Sequence, residues 1–130
     1  PTSLCSVVLA VLLTACADAC MRVTPGTPGM PATQCKTCTL PMIDTSVGGA
    51  GGKTFGTDMI DNGGTCSTRT LLCNGLNSNI EINNMDGVIL DGDDGTTDMV
   101  ARITVTCNAA GTAWLYMGVV ITKLECAADT

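Results

Sequence analysis

The chain has 130 residues, 45% of them apolar, a formal charge of −6 and no histidine. This length suits one domain with one core, and the cations Arg22, Lys36, Lys53, Arg69, Arg102 and Lys123 are scattered singly, which disfavours nucleic acid and anionic membranes as partners. Without histidine there is no Ser-His or Cys-His nucleophile pair, so the expectation is a protein that is not an enzyme and uses no cofactor.

The first element is apolar. Leu4 to Ala17 contains only Ser6 and Thr14 as polar residues and ends in small side chains, as a secretory signal peptide does. It is shorter than the ~20 residues of a membrane-spanning helix, so no membrane span is expected. If the segment is retained and extended, Cys5, Val7, Leu9, Val11, Leu13 and Ala15 share one face made for burial. A donor strand completing a neighbour's sheet, with Val7, Leu9, Val11 and Leu13 filling its core, would bury that face.

Residues 20–41 follow as a Pro/Thr-rich stretch. Pro25, Pro28, Pro31 and Pro41 exclude helix or central strand and predict an extended linker, with Thr24, Thr27, Thr33, Thr37 and Thr39 as candidate O-glycan acceptors.

From Met42 to the end, short β-like runs alternate with turn clusters at the spacing of a sandwich. The runs are Thr54 to Ile60, Thr65 to Cys73, Ile80 to Asn83, Val88 to Leu90, Asp98 to Cys107, Thr112 to Tyr116 and Val119 to Cys126. In the clearest, Met99, Ala101, Ile103, Val105 and Cys107 fall on one face, with Arg102, Thr104 and Thr106 on the other. The last two runs form a hairpin through Met117-Gly118, where a methionine at positive φ would be costly and a different turn type is expected. About seven strands in two antiparallel sheets are predicted: an immunoglobulin-like all-β sandwich over 42–130, stapled to Cys35 and Cys38 and preceded by the linker and the apolar segment 1–19.

Nine cysteines in so short a chain point to an oxidising, extracellular compartment. Cys35, Cys38, Cys66, Cys73, Cys107 and Cys126 lie in or beside the compact region. A Cys-x-x-Cys at Cys35 and Cys38 has redox and zinc readings, but the Pro/Thr context and the wide Cys66–Cys73 spacing favour structural disulfides. Six cysteines allow 15 pairings, and spacing does not choose among them. Cys5, Cys16 and Cys20 remain as candidates for interchain bridges, unless Cys20 pairs with Cys35 or Cys38.

This cysteine layout, the string ITVTCNAAGTAWLYMGVVITKLECAA (Ile103 to Ala128) and the upstream ACADACMR before the linker resemble the nematode six-cysteine secreted domain, a family of unknown function. The resemblance implies secretion and three disulfides within the domain, and supplies no catalytic residues. Met117 departs from the asparagine expected before the turn glycine.

One acidic cluster stands out. Asp91, Asp93, Asp94 and Asp98 could ligate a hard cation, but Arg102 occupies the twelfth position, where an EF-hand loop needs a bidentate glutamate, so a tight turn is the expectation. The functional expectation is a secreted structural protein forming a homopolymeric filament by donor-strand insertion and disulfide locking. The alternative is a soluble secreted binding module for glycan or microbial surfaces.

Overall fold

β-branched and aliphatic residues at alternate positions, cut by Gly, Asn and Asp clusters, build strands and tight turns rather than helices. The computed structural model describes residues 34–130, in which two short 3-10 turns, Gln34–Lys36 and Leu40–Met42, precede nine strands. These are β1 (Gly52–Lys53), β2 (Thr57–Asp61), β3 (Thr68–Asn74), β4 (Leu76–Ile82), β5 (Gly87–Leu90), β6 (Val100–Cys107), β7 (Trp114–Tyr116), β8 (Val119–Ile121) and β9 (Leu124–Asp129). They form two antiparallel sheets, ordered β1-β9-β4-β5 and β2-β3-β6-β7-β8. The cysteines Cys5, Cys16 and Cys20, the donor-strand residues Val7, Leu9, Val11 and Leu13, and the linker threonines Thr24, Thr27 and Thr33 lie outside the described residues.

The fold class is the one expected. β3 pairs with β6 and β4 with β9, and the Cys73–Cys126 disulfide joins β3 to β9 across the two sheets. This is the central arrangement of an immunoglobulin-like sandwich, with β3, β4, β6 and β9 in the places of strands B, C, E and F. The edges differ, because the β7–β8 hairpin extends the sheet beyond β6 and β1 flanks β9.

Nine strands replace the expected seven for two reasons. The run Val119 to Cys126 divides at Thr122-Lys123, where the chain leaves one sheet for the other, and β1 is a two-residue strand too short to show a period. β4 also starts earlier than expected, at Leu76. Asn77, at φ 53, sits in a register irregularity that turns Ser78 inward, where its hydroxyl accepts the Ala101 N–H at 2.9 Å from the opposite sheet. A strand opening Leu-Asn-Ser-Asn shows no alternation of apolar residues for the sequence to reveal.

The core lies between the sheets. Leu71, Cys73, Ile80, Ala101, Ile103, Val105, Trp114, Ile121 and Leu124 are buried in it, and the Trp114 indole donates to the Thr39 carbonyl at 2.9 Å. Along β6 the alternation holds from Ala101 to Cys107, but Met99 leaves the inner face. It sits at φ 65 and is 56% exposed, just before the strand begins.

The segment expected as the end of an extended linker is folded against the domain. Cys35–Cys66 and Cys38–Cys107 fasten it to the start of β3 and the end of β6, and Arg69 donates to the Leu40 carbonyl at 2.8 Å. The sandwich unit therefore begins before Met42. Pro41 is tolerated because a short 3-10 turn leaves its first amides unpaired in any case. Thr37 is committed here as well, its hydroxyl donating to the Gln34 carbonyl at 2.8 Å.

Candidate binding groove

Each sheet ends in a short strand on the same side of the sandwich, β5 in one and β8 in the other. Between them opens a groove of about 530 Å³, lined by Ile82, Gly87, Val88, Ile89, Tyr116, Met117, Val119 and Ile121, with Asp86 and Asp93 among its walls. This volume falls within the range of small-molecule sites. Val88 and Val119 are 53% and 49% exposed, so an apolar rim stands in water.

Local sequence explains this opening. β7 and β8 are joined by Met117-Gly118 at φ 48 and 81, positive at both positions as in a type I′ turn, which carries the twist of the two strands. The different turn type expected from Met117 is not the one formed. Methionine is held in the left-handed region because Tyr116 pairs directly with Val119, and Met117 itself is 88% exposed at the tip. β8 ends after three residues because the chain then crosses to β9.

Main-chain groups along the outer edge of β8 are largely occupied, and on β5 those at the Leu90 end are. In a two-residue hairpin Val119 and Ile121 bond back to β7, while Val120 and Thr122 turn their polar groups outward. The Asn83 side-chain amide donates to the Val120 carbonyl at 2.8 Å and accepts the Thr122 N–H at 2.9 Å; the Thr122 carbonyl accepts the Asp44 N–H at 2.9 Å. On β5, Asp93 Oδ2 accepts the outward Leu90 N–H at 2.8 Å. The edges of the groove thus offer apolar side chains more than a free ladder.

The predicted acidic cluster is brought together only in part, and its carboxylates are engaged by amides of the loop, by Leu90 at the end of β5 or by Arg102 on β6. Asp91 accepts the N–H groups of Asp98 and Met99, both at 3.1 Å, and Asp94 Oδ1 accepts that of Thr96 at 2.9 Å. Arg102 pairs with Asp94 at 2.8 Å and with Asp98. Hydrogen bonding to Arg102 holds the Asp98 carboxyl below the ordinary carboxylate range and raises the guanidinium in turn. Asp44, beside the β8–β9 crossing, is also lowered, chiefly by the Ser46 backbone N–H and more weakly by Lys123. Asp93 alone of the four candidates lines the groove.

The six cysteines of the compact region pair as Cys35–Cys66, Cys38–Cys107 and Cys73–Cys126, which leaves neither Cys35 nor Cys38 for Cys20. Sequence reasoning missed the groove and its capping residues Asn83 and Asp93. The uninterrupted Val119-Val120-Ile121 was the available signal, since three consecutive aliphatics on a strand must leave at least one outside the core.

Among the described residues, no helix is long and apolar enough to cross a membrane. Several disulfides in a small cysteine-rich domain are consistent with an extracellular location. The family model described as the C6 domain matches residues 11–126. An uncharacterized protein of Caenorhabditis elegans is 32% identical over 102 residues, spanning 77% of this chain and 69% of that protein. No solved structure matches. With its six paired cysteines and a match over most of its length, the chain belongs to the C6 domain family.

Proposed function

We propose that this protein is a secreted, non-enzymatic binding module that takes the apolar part of a ligand into the groove between β5 and β8. The observation that carries this reading is a 530 Å³ apolar groove whose flanking edges are capped by Asn83, Asp44 and Asp93. Capping discourages edge-to-edge pairing while leaving side chains accessible, which favours a ligand over an added strand. The disulfides suit such a module to a protease-rich exterior.

The test is a two-dimensional NMR titration of the full oxidised chain with n-octanol as a neutral apolar probe. Saturable shifts confined to Val88, Tyr116, Val119 and Ile121 are expected. Shifts absent there, or spread evenly over the surface, would overturn the reading.

A second reading is a structural subunit polymerising through the segment from Leu4 to Ala17. It is favoured by the disulfides at Cys35 and Cys38, which fasten the chain just after the amino-terminal residues to two central strands, so that tension on them would reach β3 and β6 covalently. Its partner would be another copy of the same chain, locked by Cys5, Cys16 or Cys20.

A further inference from the structure

The groove carries charge as well as apolar surface. Asp86 and Asp93 line it, and Asp93 is fixed through Oδ2 alone, by the Leu90 N–H. Three cations of the domain are engaged elsewhere: Arg102 lies on Asp94 and Asp98, Arg69 on Asp58, and Lys123 on Glu125 and Asn84, at 3.2 Å each. Among the described residues, no cation lines the groove. Tyr116 adds an aromatic ring, a group that attracts a nearby cation through its quadrupole.

Resting on the binding-module reading above, we infer that the groove selects amphipathic amines: ligands with an aliphatic or aromatic body and one protonated nitrogen. The body lies along Val88, Val119 and Ile121, and the ammonium is drawn to one of two carboxylates, Asp86 before β5 or Asp93 after it. A carboxylate or phosphate head is repelled at either end. The chain's own segment from Leu4 to Ala17 has no cation to offer and is a poorer match than a basic ligand.

The experiment titrates the full oxidised chain at neutral pH with n-octylammonium, n-octanoate and n-octanol, followed by the same groove resonances. Octylammonium should bind about fivefold or more tighter than octanoate, the scale of partly exposed ion pairs. The doubly substituted Asp86→Asn/Asp93→Asn chain should lose that preference and keep its octanol affinity, since asparagine still accepts from Leu90. In the unsubstituted chain the preference should also shrink as salt rises from ~0.01 M to ~1 M. If octanol binds but octanoate equals octylammonium, or if salt leaves the preference unchanged, the amine assignment fails while the groove stands. If none of the three probes binds there, both fail.

Discussion

Asn83 accepts the Thr122 N–H at 2.9 Å with the same side-chain amide that donates to the Val120 carbonyl at 2.8 Å, so one side chain stands where a neighbouring strand would pair with β8. Asn83 sits at φ 47, a conformation asparagine tolerates better than most residues. Its main-chain N–H also donates to the Lys123 carbonyl at 2.9 Å, which ties the β4–β5 turn to the point where the chain changes sheets.

Asn83→Ala should therefore destabilise the domain by about 2 kcal/mol, from the lost hydrogen bonds and the left-handed backbone. It should also expose Val120 and Thr122 as a pairing edge. Urea unfolding checks the first effect, and sedimentation velocity checks the second by a rise in self-association.

Arg69 is 1% exposed on the inner face of β3 and forks onto Asp58, with both bonds at 2.7 Å and a third to the Leu40 carbonyl. Asp58→Asn leaves this guanidinium without its counter-charge and should cost about 3 kcal/mol, near the lower end for a broken buried pair because Asp58 is partly exposed. Arg69→Lys should not rescue stability, as an ammonium cannot reproduce the planar fork. Urea midpoints of the two variants give the comparison.

Gly111, at φ 70, packs beneath the amino-terminal 3-10 turn, where an added Cβ would lie 2.2 Å from the Gln34 carbonyl oxygen. Gly111→Ala cannot be absorbed by a side-chain shift and should cost about 2–4 kcal/mol. Gly95→Ala, at a positive φ with open space around it, should cost only about 1 kcal/mol. Thermal melts of the two variants separate packing from backbone conformation.

Asp44 and Asp98 both have lowered pKa values in the folded chain. Their contribution to stability is complete above the ordinary aspartate range, near pH ~4, and is lost as pH falls through that range and below it. The chain has no histidine, so no His titration contributes to its stability between pH ~5 and ~8, and the urea midpoint should be nearly constant there. Asp98→Asn should reduce the acid-side slope and leave the neutral plateau flat.

Removing the inter-sheet bridge by Cys73→Ala/Cys126→Ala opens a connection spanning 53 residues and should cost about 4 kcal/mol on the loop-entropy scale. Both sulfurs are buried, so the cavity left behind adds to this cost. Denaturation of the oxidised variant against the unsubstituted chain measures it.

How far the chain could be read depended on which forces wrote each part. The period-two pattern of Ala101, Ile103, Val105 and Cys107 is dictated by burial on one face, and it marks β6 in the sequence itself. Asn77 and Ser78 gave no such signal, because β4 there is held by a bulge and an inter-sheet hydrogen bond rather than by aliphatic burial. Cysteine count predicted an oxidised domain, but the pairing depends on which strand ends meet, and spacing carries no such information. Arg102 at the twelfth position of the acidic loop already opposed an EF-hand, and its bonds to Asp94 and Asp98 give the reason in geometry. The groove was hidden for a further reason. Its two walls, β5 and β8, are about thirty residues apart in the chain and meet only because each ends its own sheet.

On the reading proposed above, the capped sandwich takes a ligand and does not add strands from its own copies. Light scattering with negative-stain imaging, on oxidised chains beginning at Pro1 and at Cys20, decides between these two modes. Both forms are predicted to stay monomeric. Filaments built by the Pro1 form alone would contradict it and establish the apolar segment as a donor strand.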